Sequence, residues 1–302
     1  MDAELEPFLP MFPPADLSDP PAARRQLREL ITTIDVDTTG LQIQDHMVPA
    51  DPDVAVRTYR SEATRGDRAP GAIVWLHGGG FVMGDLDTEH PWATTLAKES
   101  GVTVVSVDYR LAPEHPFPAA LDDAHAVLGW VSDNAAELGV DPTRLAVGGH
   151  SSGAGLAAAV ALRARDEGGP ALRFQLLHQA GLDDRQQTWS ASTFTDTPFL
   201  TRDKVSQLWR HYLGEAEATP YAAPARAADL SGLPPAYVAA AEHCPNRDED
   251  VDYARRLLQA NVTTELHVWP GVFHGSQAIL SAEVSQRQNA ELAAALRRGL
   301  AD

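Results

Sequence analysis

Residues 145–163 read LAVGGHSSGAGLAAAVALR, and they constrain the fold more tightly than any other part of the chain. An apolar run of strand length (145–148) gives way almost at once to an Ala-rich helical run (156–163). Between them lies Gly149-His150-Ser151-Ser152-Gly153. A chain that leaves a buried strand and enters a helix this quickly must turn sharply. The residues two before and two after the apex must then be tiny, because their backbones meet there. Glycine serves at both places. Ser151, at the apex, would be held in a strained conformation with its hydroxyl presented outward, and the helix N-terminus beneath it would favour developing negative charge. The same spacing leaves Ser152 outside that role. For so short a pattern the bland alternative is a glycine-rich turn with an ordinary exposed serine.

The rest of the chain supplies a matching frame. GAIVWL (71–76), TVVSV (103–107), FQLL (174–177), AYVAA (236–240) and ELHV (265–268) read as buried strands, and 253–258 and 290–300 read as helices. Strands and helices in alternation argue for an α/β fold with a mostly parallel sheet covered on both faces, which binds ligands at the carboxyl ends of its strands. Two segments fall outside the alternation. The first 35 or so residues carry Pro10, Pro13, Pro14, Pro20 and Pro21 with Phe8, Leu9, Met11 and Phe12 between them, followed by a helical pattern with Leu27, Leu30 and Ile31 on one face. From 184 to 224 no strand pattern occurs, yet large apolar residues abound: Trp189, Phe194, Phe199, Leu200, Leu208, Trp209 and Tyr212. Thr201 there suits a helix N-cap, with Asp203 in the first turn. We read residues 1–302 as a single α/β domain with a cap built from about 1–40 and the insertion 184–224; the alternative is extra core helices.

Composition narrows the function classes. A formal net charge of −18 repels nucleic acid and anionic lipid, so neither partner is expected. No apolar stretch is long enough to span a bilayer. The start, MDAELEPFLP, lacks the basic residues and apolar run of a secretory signal, and the single cysteine, Cys244, permits no intrachain disulfide. A reducing, cytoplasmic location is the resulting expectation.

Two further segments carry chemistry. His77-Gly78-Gly79-Gly80-Phe81 follows the strand at 71–76. Consecutive glycines leave backbone N–H groups unshielded, so Gly79 and Gly80 can donate to a developing oxyanion, with the N–H of Ser152 completing the hole. His77 reads as an orienting residue, and a merely flexible glycine loop is the alternative. A general base for Ser151 must titrate near neutrality, which favours histidine. Of the 11 histidines, only His211, His243, His267 and His274 lie well beyond Ser151. Only His274, in Pro270-Gly271-Val272-Phe273-His274-Gly275, sits in a Gly-flanked loop after a late strand, as the order serine, acid, histidine requires.

With these segments in view, the chain resembles the hormone-sensitive-lipase-like esterases, the bacterial family IV carboxylesterases. The matching pieces are HGGGF at His77, DYRLAPEHPFPAALDD from Asp108, LAVGGHSSGAGLAAAV from Leu145 and GVFHG around His274. The resemblance implies an eight-stranded α/β-hydrolase sheet, a helical cap, an esterase without cofactor, and an acid at the position that Cys244 occupies in Cys244-Pro245-Asn246-Arg247-Asp248-Glu249. His150 and Ser152 also depart from the Asp and Ala usual in that family, and Asn246 from its Leu. Three readings of Cys244 compete. The acid is lost and a weaker Ser–His dyad is left; another carboxylate substitutes, with Asp183 the best candidate and Asp248 a helix cap; or the thiol works as thiolate. A zinc site from His150, His243, Cys244 and His274 lacks metal-ligand spacing, and no metal is expected.

The leading expectation is a serine carboxylesterase for small uncharged short-chain acyl or aryl esters. The others are a catalytically impaired binding protein on the same fold, and an elimination or acyl-transfer enzyme that uses the same oxyanion hole. Retention of His274 favours the enzyme. Oligomeric state stays open, with a homodimer as one option.

Overall fold

In the computed structural model, which describes residues 1–11, 16–62 and 69–301, the chain builds an eight-stranded sheet. The strands are β1 (Leu41–Val48), β2 (Val54–Ser61), β3 (Ala72–Leu76), β4 (Thr103–Val107), β5 (Leu145–His150), β6 (Phe174–His178), β7 (Ala236–His243) and β8 (Thr264–Phe273). Their spatial order is β1-β2-β4-β3-β5-β6-β7-β8, with the β1–β2 and β2–β4 pairs antiparallel and the remaining pairs parallel. The helices are α1 (Pro20–Ile31), α2 (Leu86–Ser100), α3 (Ala119–Asp133), α4 (Ala135–Leu138), α5 (Ser152–Glu167), α6 (Trp189–Thr193), α7 (Arg202–Leu213), α8 (Arg247–Gln259) and α9 (Glu283–Gly299). This is the α/β-hydrolase architecture.

The central strands β3, β4 and β6 are buried along their whole length, as strands covered on both faces must be. The six apolar runs read from the sequence coincide with β3 to β8, but 265–268, expected to be buried, lies on the edge strand β8 with Glu265, Leu266 and Val268 exposed. Periodicity reading passed over β1 and β2. Leu41–Val48 alternates half-buried with exposed residues and carries Gln42, Gln44, Asp45 and His46, so its apolar signal is diluted at the sheet edge.

Residues Phe12, Pro13 and Pro14 of the proline-rich start lie outside the described residues. The expected apolar face of α1 docks only in part, with Leu27 and Ile31 half-buried. Leu30 is 39% exposed, and only Pro20 and Ala23 are buried. Arg24 also donates to Val82 O and Ala112 O at 2.7 and 2.8 Å and forms a two-pronged pair with Glu114. The guanidinium thus pins α1 to the segment that follows the glycine loop. Leu5, further upstream, is fully buried and belongs to the main core.

In 184–224 no strand forms, and Thr201 caps α7 through its side chain. Trp209 and Tyr212 are buried, and Tyr212 stacks on Phe81 at 3.7 Å between ring centroids. His211 Nε2 lies 2.9 Å from Leu17 O, joining this segment to the N-terminal one. Trp189 is 61% exposed and carries the Arg247 guanidinium over its ring, so it covers surface rather than core.

The Arg24 contacts predict a local effect. Arg24→Ala removes hydrogen bonds from a charged donor to two main-chain carbonyls, and should cost about 1–3 kcal/mol in denaturant unfolding. Amide exchange should quicken in 20–31 and 80–84. Unchanged protection there would show that α1 is held by something else.

Candidate active site

Ser151 ends β5 and opens α5 with φ 56° and ψ −125°. Left-handed backbone at a non-glycine residue is strained by roughly 1–3 kcal/mol and persists only where its surroundings enforce it. Here they do. Ser151 N donates to His178 O on β6, and Ser151 O accepts from Ala154, Gly155 and Gly181. A Cβ at Gly149 would stand 2.3 Å from Leu76 O, and one at Gly153 2.0 Å from the same oxygen. The two glycines expected from the pattern are therefore obligatory, because β3 passes directly beneath the turn.

The glycine loop is equally constrained. Gly79 and Gly80 have φ of 113° and 65°, and Phe81 follows at 64°. A Cβ at Gly79 would meet Met83 O at 2.3 Å, and one at Gly80 would meet Leu208 at 2.3 Å. His77 is buried, its Nδ1 2.7 Å from Gly78 O, and stacks on Tyr109 at 4.1 Å. The Tyr109 hydroxyl donates to His77 O. Burial pulls the His77 imidazole below its ordinary pKa, so it stays neutral and orients the loop. Ser152 is the first residue of α5, so its N–H is one of the free donors at a helix N-terminus.

His274 Nε2 lies 2.8 Å from Ser151 Oγ, and His274 Nδ1 lies 3.3 Å from Cys244 Sγ. Three residues far apart in sequence thus form one chain of contacts at the carboxyl ends of β5, β7 and β8. For Nε2 to accept the Ser151 proton, the hydrogen of the neutral ring must sit on Nδ1 and point at sulfur. Sulfur is a weak acceptor, and Sγ also receives Asn246 N at 3.4 Å. Cys244 is fully buried, and desolvation drives its thiol pKa up, with the nearby Asp250 and Glu249 adding to the rise. Desolvation, reinforced by the nearby charge of His150, pulls His274 down to about 3.

The other candidates fall elsewhere. Asp183 does not meet the imidazole: its oxygens hold Arg185 Nε at 2.7 Å and Nη2 at 2.8 Å. Asp248 is not a helix cap. It accepts Ser190 N at 2.8 Å and pairs with Arg247, tying α6 to α8. His150 turns to Glu89 at 3.1 Å, and His243 lies against the Phe194 ring. Among the described residues no group of three His, Cys, Asp or Glu side chains is placed to hold a metal ion.

Two contributors carried no sequence signal. Glu89 is buried, accepts Trp75 Nε1 at 2.6 Å and reaches His150, which packs under Gly78. Gln179, with φ 52°, accepts Gly275 N at 2.9 Å through Oε1 and so fixes the residue after His274. Both act across 60 or more residues of sequence, where only three-dimensional structure pairs them.

A cavity of about 30 Å³ adjoins Ser151, walled by Gly80, Phe81, Leu200, Leu208, Trp209 and Asn246, among others. Phe199 stacks on His274. A hydroxyl within hydrogen-bond reach of a neutral imidazole, beside clustered main-chain donors, can attack a carbonyl and stabilise the resulting oxyanion.

The sheet and this site define an α/β hydrolase. The family of the alpha/beta hydrolase fold matches residues 73–278, and the chain belongs to it, in its hormone-sensitive-lipase-like branch. Carboxylesterase NlhH of Mycobacterium tuberculosis is 42% identical over 261 residues, 84% of this chain and 81% of that protein. Esterase LipI of the same organism is 38% identical, over 84% and 80% of the two chains. The structure of bacterial heroin esterase superposes with a TM-score of 0.96 at 43% identity, covering all of this chain and 98% of that one. The protein is a carboxylic ester hydrolase.

Loss of the Gln179 acceptor should loosen the His274 loop. Gln179→Ala is expected to lower kcat for ester hydrolysis by roughly tenfold with little change in KM, because it disturbs alignment rather than binding. A changed KM with kcat intact would show that Gln179 serves the substrate pocket instead.

Proposed function

We propose that the protein hydrolyses short-chain, uncharged carboxylic esters through an acyl-enzyme on Ser151, with His274 as general base and Cys244 standing where a triad would hold its acid. The contact of Ser151 Oγ with His274 Nε2 at 2.8 Å carries this reading. The hydroxyl attacks the ester carbonyl as His274 takes its proton, and Gly79, Gly80 and Ser152 N–H groups receive the oxyanion. His274 then returns the proton to the departing alkoxide, and water repeats the cycle to release the acid. A cavity of about 30 Å³ supports a small substituent on one side of the carbonyl. Residues 1–40 and 184–224 act as the cap of a single domain. The His211–Leu17 contact and the placing of Leu200, Leu208 and Trp209 on the cavity wall support that division.

Ser151→Ala should abolish the acyl-enzyme burst and turnover on p-nitrophenyl acetate, while Ser152→Ala keeps both. Stopped-flow release of nitrophenolate decides this, and full activity in Ser151→Ala overturns the mechanism.

The neutral thiol should set both rate and pH profile. Replacing the triad aspartate of a serine protease by asparagine lowers kcat by about 10⁴, because the neutral partner no longer holds the working tautomer or stabilises the imidazolium. Here a buried neutral Sγ gives His274 little such help, so Cys244→Asp should raise kcat by roughly tenfold or more. The pH signature follows from the sign of the His274 shift. A base works while neutral, and a pKa held near 3 keeps it neutral through the acid range, so the acid limb of kcat/KM should fall below pH ~5 rather than near the ordinary ~6.5. A carboxylate at 244 favours the protonated ring and should move that limb upward. Activity should show no thiolate-dependent rise toward pH ~9, since burial keeps Cys244 protonated. A Cys244→Asp enzyme no faster than the parent, with the same acid limb, would refute this account.

A further inference from the structure

The cavity beside Ser151 carries a polar atom that hydrolysis of a plain alkyl ester leaves idle. Asn246 is 5% exposed and lines that cavity together with Ser151 and Gly80. Its Nδ2 donates to Ala180 O at 3.2 Å. A main-chain carbonyl only accepts, so this contact settles the amide orientation: Nδ2 faces Ala180 and Oδ1 faces away from it. Among the described residues nothing donates to Oδ1. The surrounding wall is mostly apolar, with Phe81, Leu200, Val205, Leu208 and Trp209. The Ser151 hydroxyl is held by His274, and the Ser152 hydroxyl is sealed from solvent. Oδ1 is not sealed from solvent, so a donor entering the cavity can reach it, and an acceptor left unpaired on a mostly apolar wall costs free energy.

We propose that Asn246 is a specificity-determining residue: its Oδ1 accepts a hydrogen bond from a hydroxyl on the ester substituent seated in this cavity, so the preferred substrates are short esters bearing a hydroxyl group. The inference rests on the reading of Ser151 and His274 given above and names the substrate class of that site. Two features select this chemistry. The free atom is an acceptor, so it favours a donor and gives nothing to a carbonyl or ether. The cavity, about 30 Å³, has room for only a water or two and hence for a hydroxymethyl or hydroxyethyl group. A plain alkyl group of the same size fits but leaves Oδ1 unpaired, and sites built to bond a substrate hydroxyl discriminate strongly against the analogue lacking it. The hydroxyl can sit on the acyl side, as in a hydroxy-acid ester, or on the alcohol side, as in a glycol monoester.

Two matched pairs separate these sources: ethyl lactate against ethyl propanoate, and 2-hydroxyethyl acetate against propyl acetate. Acid release by the whole enzyme is followed by pH-stat, and each kcat/KM is divided by the hydroxide-catalysed rate of the same ester to remove intrinsic reactivity. The expected result is a preference of roughly tenfold or more for the hydroxyl-bearing member of one pair, falling to about one in Asn246→Leu. The pair that shows it identifies the side of the carbonyl seated in the cavity. Asn246→Ala serves the same purpose if the Leu variant does not fold. Equal normalised rates within both pairs for the parent enzyme overturn the proposal, as does a preference that survives both substitutions. If none of the four esters is hydrolysed faster by the parent than by Ser151→Ala, the site reading itself fails and this inference falls with it.

Discussion

The constraint that the rest of the site must respect is the passage of Gly149 and Gly153 over Leu76 O. No side chain fits at either position, so β5 can turn into α5 only with glycine on both sides of Ser151. That single crowding sets the left-handed backbone of Ser151, aims its hydroxyl away from the sheet, and brings the first turn of α5 beside the loop that leaves β3. Because β3 and β5 are hydrogen-bonded neighbours in parallel register, with Leu76 opposite Gly149, the glycine loop and the serine are placed by the same ladder. The site is an outcome of strand pairing, and its precision is inherited from a core buried on both faces.

The electrostatics of the site differ from those of a charged triad. Cys244 and His274 are both buried, and desolvation holds the one protonated and the other unprotonated. His178, next to the elbow, is likewise pulled down to about 3, mainly by burial. The contact chain from Ser151 to Cys244 is therefore neutral throughout, and His150, next to the serine, turns instead to Glu89 at 3.1 Å. Such an arrangement avoids burying an isolated carboxylate, which is costly, and gives up the partner that would welcome a proton on His274. The linkage sign is definite. Histidines held neutral in the fold and free to ionise when unfolded add stability above their ordinary pKa of about 6.5, and that contribution fades as pH falls toward 3.

Much of this was legible in the residues. The central strands announced themselves as apolar runs because strands covered on both faces have no polar alternation to blur them, and the edge strand β8 was found by its short apolar run although its residues 265–268 are largely exposed. Ser151, the glycine loop and His274 were found because each needs local chemistry at a fixed spacing: small residues at an apex, adjacent glycines after a strand, a histidine after a late strand. Other features were not legible, for one physical reason. The edge strand β1 and its neighbour β2 carry mixed faces, α1 docks through Arg24 as well as through half-buried Leu27 and Ile31, and Gln179 and Glu89 act on partners distant in sequence. Asp183 looked suited to orient His274 by its position after β6, yet a neighbouring guanidinium two residues on had the shorter reach. Local patterns report local forces, and these contacts exist only after the sheet has assembled.

Leu208 stands where any side chain on Gly80 would have to go, and it also walls the cavity beside Ser151. One methyl-bearing branch thus fills two jobs in one volume. Trimming it to admit larger substrates would also remove the packing against which the backbone at Gly80 is seated. Substrate range and oxyanion geometry are therefore not independent traits in this scaffold. A laboratory selection for bulkier esters that enlarges position 208 space would carry a built-in penalty in turnover, and escape would require a second change that restores the lost contact from another helix face.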